Sequence, residues 1–154
     1  AVAAGIRHFQ VFWWNGERLT RRIRAAGATV FAQVGTEGQA HEALARGADA
    51  LIVQGNEAGG QVRSPVPVRE LVPRVRALAG DAVPIVAGGG LADRSDLREI
   101  LSLGADAGLF GTRFSLADES AVSPRDRARL LRAAPEDLVL DTRLVGTWPC
   151  APRR

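Results

Sequence analysis

The sequence predicts an α/β fold with parallel strands, because apolar runs of strand length alternate with helical patterns throughout residues 5–110. The joints between them repeat one pattern, in which a helix ends at a glycine and an apolar run follows: AAGATV, ARGADALIV, LAGDAVPIV and LSLGADAGLF. Glycine supplies the left-handed conformation that ends a helix. Runs that are apolar on both faces are typical of parallel strands covered by helices.

The first elements follow directly from local patterns. The alternation of Phe9, Val11 and Trp13 predicts a strand within residues 5–14. A helix with an arginine-rich outer face follows over residues 17–26, and the apolar run at residues 28–34 is the second strand.

The remaining elements carry start and stop signals. Thr36 is placed to cap a second helix that ends at Gly47, and Asp93 to cap a fourth helix that ends near Leu103. The third helix, residues 67–79, begins near a proline and ends at Gly80. The intervening strands are residues 49–54, 82–87 and 106–110. Such a set fits either an open doubly wound sheet or the last part of an eight-stranded barrel.

Size and composition narrow the class of protein. The 154 residues suffice for one domain, with 46% hydrophobic and 24% charged residues. No apolar run reaches membrane-spanning length, and a lone cysteine favours a reducing cytoplasm. The net charge is +3 and no aromatic-plus-basic patch appears, so we expect neither a membrane nor a nucleic-acid partner. Because methionine is absent, we expect a fragment or a processed product.

Glycine loops follow the last two predicted strands. Residues 88–93 (GGGLAD) come after the fourth strand, and residues 111–114 (GTRF) come after the fifth. Adjacent glycine loops at helix N-termini direct backbone N–H groups toward a common point and favour an anion. In (βα)8 barrels the loops after strands seven and eight form a phosphate site. The alternative is that these glycines are only tight turns.

These loops and the segment before them resemble the nitronate monooxygenase family, also called 2-nitropropane dioxygenases. The motifs QGNEAGGQ, IVAGGGLAD and LFGTRF resemble the family's AQGxEAGGH, AAGGI and GT-containing motifs in order and spacing. The closing segment DTRLVGTWPCAPRR resembles that of the family as well. The resemblance spans nearly the whole chain and implies a partial TIM barrel, a (βα)8 fold, with strands corresponding to about strands 4–8.

The resemblance also implies FMN as cofactor, with a small nitronate or nitroalkane and O2 as substrates. Gln54, Gly59 and Gly60 would lie at the flavin, and Gly89 and Gly90 would give backbone N–H groups to its phosphate. The second phosphate loop would comprise Leu109, Phe110, Gly111 and Thr112, with the Thr112 hydroxyl as a further donor. No group of residues has metal-ligand spacing, so we expect no metal.

Gln61 is the main departure from the family pattern, because it occupies the position of the histidine that serves as catalytic base. An amide does not titrate near neutral pH and cannot accept the substrate proton. Three hypotheses remain open: a nitronate-oxidising flavoenzyme, a flavin- or phosphate-binding remnant without turnover, and a related NAD(P)H-dependent enoyl-thioester reductase.

The remaining expectations concern the borders of the fold. We expect one partial-barrel domain over residues 1–154, with a tail at residues 135–154. Open strand edges of a partial barrel invite pairing with another chain, so a homo-oligomer is a further prediction. Near the site, we expect Glu57 to brace its loop and Arg63 to lie on the solvated surface.

Overall fold

The computed structural model, which describes residues 1–12 and 17–139, contains a sheet of five parallel strands. They are β1 His8–Val11, β2 Thr29–Val34, β3 Ala50–Gln54, β4 Ile85–Gly88 and β5 Ala107–Leu109. The strands lie side by side in chain order, and each neighbouring pair is parallel. An open doubly wound sheet reverses its strand order at a switch point, so the consecutive order is that of a partial barrel.

Helices connect the strands and follow the last one. They are α1 Glu17–Ala25, α2 Glu37–Ala45, α3 Val68–Ala79, α4 Arg94–Ser102, α5 Thr112–Ser115 and α6 Pro124–Arg132. Short 3-10 turns occupy Val2–Ala4 and Pro135–Asp137. The predicted alternation is confirmed through β5, whereas no bounds were predicted for α5 and α6. Among the described residues, no helix has both the length and the apolar character that a membrane crossing requires.

Most predicted boundaries agree with the structure within two residues, but the fourth strand begins three residues later than predicted. Pro84 lies just before β4 and has no backbone N–H to give to the ladder. Its carbonyl oxygen nevertheless accepts a hydrogen bond from the Leu51 N–H at 2.9 Å. Trp13 and the tail residues 140–154 lie outside the described part of the chain.

The predicted helix caps are present. The Thr36 hydroxyl accepts a hydrogen bond from the Gln39 N–H at 3.2 Å, and Gly80 follows α3 with φ of +70°. The Asp93 carboxylate accepts from the backbone N–H groups of Ser95 and Asp96 at 2.7 and 3.1 Å. These local signals fix where the helices start and stop, and therefore where the loops at the strand ends begin.

The two faces of the sheet differ. The helix-covered face carries the core, to which the strands contribute Ala32, Val34, Leu51, Val53, Ile85 and Ala87. The alternate residues point to the opposite face, here called the inner face: Gln10, Phe31, Gln33, Ile52 and Gln54. In a (βα)8 barrel the helices form an outer ring and the opposite face lines the interior.

Candidate functional site

Three strands end at the same level of the carboxyl edge, which is where ligand loops of a barrel lie. The pairing register places Gln54 of β3 opposite Gly88 of β4, and Gly88 opposite Leu109 of β5. The Gly55 N–H also donates to the Gly88 carbonyl oxygen at 2.9 Å. The sequence motifs after these strands are therefore brought together at one edge.

Gln54 holds the segment that carries Gln61. Its side chain is 6% exposed. The Nε2 group donates to the Gln61 carbonyl oxygen at 2.9 Å, and the Oε1 atom accepts from the Arg63 N–H at 3.3 Å. Gln54, which was predicted to lie at the flavin, therefore also has a structural role, because its amide holds the backbone on both sides of residue 62.

The close approach of this segment to β2 requires a glycine. A Cβ atom at Gly35, directly after β2, would lie 2.6 Å from the Ser64 nitrogen. Gln61 itself is half-buried. The loop after β3 therefore returns across the ends of both β2 and β3, and Gln61 lies at the carboxyl edge as predicted.

Glu57 links the loop after β3 to two other elements. Its carboxylate oxygens accept from the Val68 N–H at 3.0 and 3.2 Å, where α3 begins without a capping side chain. A negative charge at a helix N-terminus is favourable. Cβ atoms at Gly89 and Gly90 would lie 3.4 Å from its Oε2 and 3.1 Å from its Cβ. Glu57 braces its loop, and the glycine loop after β4 packs directly on it.

The glycine loop after β4 provides unused donors. Gly89 and Gly90 adopt φ of +131° and +64°, which side chains rarely tolerate. A Cβ at Gly89 would also lie 3.2 Å from the Gly55 nitrogen. Within the described residues, the N–H groups of Gly89 and Gly90 donate no hydrogen bond. They are free to bind an anion.

The N-terminus of α4 was expected to offer free N–H groups to an anion, but its donors are already used within the protein. The Asp96 carboxylate accepts from the N–H groups of Ala92 and Asp93 at 2.8 and 3.1 Å and pairs with Arg69 at 2.5 Å. The hydrogen bond from Ala92, followed by that from Asp93 and by Arg69, holds the pKa of Asp96 below its ordinary value. These donors are already occupied by a carboxylate, so among the described residues the donors that are free for an anion lie in the loop rather than at this helix terminus.

The loop after β5 is more open. Leu109 is 46% exposed, and a Cβ at Gly111 would meet no atom within 4 Å. Phe110 packs against the core, while Gly111 and Thr112 are exposed at the start of α5. Gly59 and Gly60 are exposed too, with open space around them. The structure thus places every predicted site residue at this edge but shows contacts for only some.

Arg63 differs from its prediction as solvated surface. Its side chain lines a small cavity with Gln39 and Glu42 of α2, on the helix side of the sheet. Burial lowers the pKa of the Arg63 guanidinium, and the nearby Glu42 charge opposes this shift. Arg63 is therefore half-buried at the border of the loop after β3 rather than fully solvated. Among the described residues, no group of three or more His, Cys, Asp or Glu is arranged to hold a metal ion.

Sequence reasoning overlooked Gln10 and Gln33. Both lie on the inner face, and the Gln10 Nε2 group donates to the Gln33 Oε1 atom at 2.7 Å. The signal that could have found them was their position within strands whose flanking residues, Val11 and Val34, are apolar. Polar groups are unusual on the inner face of a barrel, which is normally filled by branched apolar residues.

The fold and the carboxyl edge together define a partial (βα)8 barrel whose last two strands are followed by glycine loops. The family model for nitronate monooxygenase matches residues 12–149. The chain belongs to the nitronate monooxygenase family, and the resemblance noted in its motifs is confirmed.

The related sequences include nitronate monooxygenases and a carboxyl-CoA dehydrogenase. The chain is 39% identical over 131 residues to a (3aS,4S,5R,7aS)-5-hydroxy-7a-methyl-1-oxo-octahydro-1H-indene-4-carboxyl-CoA dehydrogenase of Mycobacterium tuberculosis, covering 84% of this chain and 37% of the relative. It is 36% identical over 123 residues to a nitronate monooxygenase of Neurospora crassa, covering 76% and 32%. The chain thus spans about a third of the length of the curated relatives it matches.

Solved structures agree on the fold. FabK from Thermotoga maritima aligns with a TM-score of 0.83 at 28% identity, covering 94% of this chain and 46% of that chain. A nitroalkane oxidase from Streptomyces ansochromogenes aligns with a TM-score of 0.74 at 28% identity, covering 82% and 39%. Both are TIM barrels, so the partial barrel is confirmed.

Proposed function

We propose that this chain forms the FMN-binding part of an oxidoreductase that oxidises alkyl nitronates with O2. The observation that carries the proposal is the free pair of backbone N–H groups at Gly89 and Gly90, beside the loop after β5. Family membership supports a flavin at this edge. When bound, the flavin would supply the redox chemistry, and the protein would orient it.

The residues present fit the cofactor. The phosphate would accept hydrogen bonds from Gly89 and Gly90, where the absence of Cβ atoms permits close approach. Residues 109–112 would complete that site, with the Thr112 hydroxyl as a further donor. Gln54, Gly59 and Gly60 would lie nearer the ring, and Gln54 would keep Gln61 in place through its hydrogen bond to the Gln61 carbonyl oxygen.

Binding measurements with two flavins test this assignment. Gly90→Ala adds a Cβ 3.1 Å from the Glu57 Cβ at a positive φ, so the loop must shift. We expect FMN affinity to fall about tenfold, equivalent to about 1.4 kcal/mol, with riboflavin affinity unchanged because riboflavin lacks the phosphate. Gly38→Ala, where a Cβ meets nothing within 4 Å, is the control. Equal losses for both flavins, or no FMN binding by the unaltered chain, would contradict the phosphate site.

The Gln61 amide sets the expected substrate preference. A nitroalkane must lose its α-proton before oxidation, whereas a nitronate has already lost it. Because Gln61 can donate a hydrogen bond to nitro oxygens but cannot accept a proton, turnover should favour nitronates. Gln61→His should raise oxygen uptake with a nitroalkane far more than with propionate-3-nitronate. An equal gain on both substrates would contradict the idea that the missing base at residue 61 limits only nitroalkane oxidation.

A second candidate function is action on a CoA thioester. It is favoured by the 39% identity to the carboxyl-CoA dehydrogenase. The related reductase hypothesis predicts NADH oxidation that requires an enoyl thioester. Oxygen uptake with a nitronate and no thioester-dependent NADH oxidation would decide for the first candidate, and the reverse pattern for the second. Flavin absorbance with neither activity would favour a binding remnant.

The open edges support a further part of the proposal. Within the described residues, β1 and β5 each pair on one side only. Unpaired strand edges favour association with another chain. We therefore propose that the partial-barrel domain of residues 1–154 forms homo-oligomers, which light scattering after size exclusion would detect. A monodisperse monomer would contradict the edge-pairing argument.

A further inference from the structure

Glu57 supports the glycine loop after β4 from the side of another loop. The three atoms nearest to a Cβ added at Gly90, outside its chain neighbours, all belong to Glu57: Cβ at 3.1 Å, Cγ at 3.6 Å and Cδ at 4.0 Å. A Cβ at Gly89 would lie 3.4 Å from the Glu57 Oε2 atom. Both glycines therefore lie against one side chain, which comes from the loop after β3.

The carboxylate of Glu57 is itself fixed by the start of α3. Its two oxygens accept from the Val68 N–H at 3.0 and 3.2 Å. A Cβ atom at Gly55 would lie only 2.2 Å from the Oε2 atom and 2.3 Å from the Val68 nitrogen, so this contact needs a glycine directly after β3. The Glu57 side chain thus connects α3, the end of β3 and the glycine loop after β4.

Few other contacts hold the glycine loop in place. Within the described part of the chain, the N–H groups of Gly89 and Gly90 donate no hydrogen bond. The N–H groups of residues 92 and 93 are anchored again, since they donate to the Asp96 carboxylate. Glycine loses more conformational freedom on ordering than any other residue. Without the Glu57 stem, a ligand would therefore have to order both glycines when it binds.

The negative charge of Glu57 does not explain its place beside an anion site. A carboxylate and a phosphate repel each other at short range. The N-terminus of α3 offsets part of this charge, because the carboxylate accepts from the first N–H of that helix. What remains is the position of the stem and the acceptor that fixes it, and a neutral side chain of the same shape provides both.

We propose that Glu57 is a positioning residue for the phosphate group of FMN, because it holds the free N–H groups of Gly89 and Gly90 in the conformation that binds the phosphate. Donors that are ordered in advance bind more tightly, since the ligand does not have to offset the cost of ordering them. Glu57 itself makes no contact with the ligand. This inference rests on the proposed FMN site and adds the side chain that sets the geometry of its loop.

The preference for FMN over riboflavin tests this role, because only FMN carries the phosphate. Glu57→Ala removes the stem and the acceptor, so the ratio of the two affinities, measured by quenching of flavin fluorescence, should fall about tenfold. Glu57→Gln retains both and should keep the ratio within about twofold. Glu70→Ala is the matched control: it removes an exposed carboxylate that pairs with Arg74 in the first turn of α3, and it should leave the ratio unchanged.

Backbone dynamics of the flavin-free chain give a second measurement. In NMR relaxation experiments, the Gly90 amide should be more mobile in Glu57→Ala than in the unaltered chain, and unchanged in Glu57→Gln and Glu70→Ala.

Several outcomes would overturn the role of Glu57 while leaving the FMN site intact. One is a Glu57→Ala variant that keeps its preference for FMN, or that loses FMN and riboflavin affinity in equal proportion. Another is an equal loss of the preference in Glu57→Gln, which would assign the effect to the charge. A Gly90 amide with unchanged mobility in Glu57→Ala would also contradict it. An unaltered chain with no preference for FMN would overturn the phosphate site and this inference together.

Discussion

The two edges of the sheet use their polar groups in opposite ways. At the amino edge, Asp106 accepts from the Ile85 N–H at 2.7 Å and pairs with Arg76 at 2.6 Å. Asp49 repeats this arrangement with the Val30 N–H at 2.9 Å and Arg24 at 3.3 Å. At the carboxyl edge, backbone donors of the glycine loop have no protein partner among the described residues.

This difference separates stability from binding within one sheet. Polar groups that are satisfied by fixed side chains stabilise the fold, because unsatisfied groups near the core are costly. Donors that are left free at the opposite edge contribute nothing until a ligand arrives, which suits the location of barrel active sites. Substitutions at the two edges should therefore separate effects on unfolding from effects on flavin affinity.

Arg76 should give the largest effect at the amino edge. Its guanidinium donates to the carbonyl oxygens of Gly104, Gly80 and Val83 at 2.8, 2.7 and 2.9 Å, besides its ion pair with Asp106. The side chain is 16% exposed. Arg76→Ala should lower the free energy of unfolding by about 3 kcal/mol, because it removes the Arg76 donor from three backbone carbonyl oxygens together with the ion pair to Asp106.

Urea unfolding at neutral pH measures this change. Arg76→Lys should recover little of it, since an ammonium group does not reproduce the planar guanidinium fork. Arg74→Ala, on the exposed side of the same helix with an i,i+4 ion pair to Glu70, is the control and should cost less than about 1 kcal/mol. Similar losses for Arg74 and Arg76 would contradict the special role of the amino edge.

Asp106 should give an intermediate, pH-dependent effect. The hydrogen bond from Ile85, followed by the contact with Arg76, holds the pKa of the Asp106 carboxyl below its ordinary value of 3.8. A depressed folded-state pKa contributes stability that is fully present above the ordinary value and is lost as the pH falls through the folded-state value. Asp106→Asn keeps an acceptor for Ile85 but removes the charge. Because the Asp106 side chain is 55% exposed and water screens the ion pair, we expect a loss of at most about 1 kcal/mol at neutral pH.

Measuring the free energy of unfolding at several acidic pH values tests whether the Asp106 contribution falls with pH, as a lowered pKa requires. The difference between Asp106→Asn and the unaltered chain should shrink as the pH falls below about 4. Asp96 has a depressed pKa too, so part of the acid slope should remain in the variant. Asp49→Asn, whose arginine is more distant at 3.3 Å, should change stability less. A difference that grows toward low pH would refute the assigned charge contact.

The sequence predicted what depends on neighbouring residues. Thr36 and Asp93 are recognisable as caps because a helix cap bonds to residues two or three positions away. The glycine joints identified parallel strands, and the motifs after them placed the ligand edge. These features are local, and they were sufficient for the fold class and for the edge of the sheet at which the glycine loops lie.

Contacts between distant parts of the chain were not predictable in the same way. Arg76 and Asp106 are 30 residues apart, and nothing in either local pattern pairs them. The turning of Gln54 toward Gln61, and the pairing of Gln10 with Gln33, depend on strand register. A one-residue change of register reverses which face each side chain occupies, so these assignments needed the structure.

The smallest expected effect on stability lies at the carboxyl edge, in the neighbouring glycines Gly59 and Gly60. A Cβ atom added at either position would meet no other atom within 4 Å, but only Gly60 has a positive φ, of +76°. Gly59→Ala should change the free energy of unfolding by less than about 0.5 kcal/mol, and Gly60→Ala should cost about 1 kcal/mol through backbone strain alone.

Flavin titration of the same two variants completes the comparison of the edges. If Gly59 lies at the flavin, its Ala variant should bind FMN and riboflavin less tightly while unfolding like the unaltered chain, because the added methyl group occupies ligand space rather than protein space. Arg76→Lys should do the opposite, losing stability with flavin affinity unchanged in the folded protein. A large loss of stability in Gly59→Ala would mean that the carboxyl edge, like the amino edge, is held by contacts within the protein.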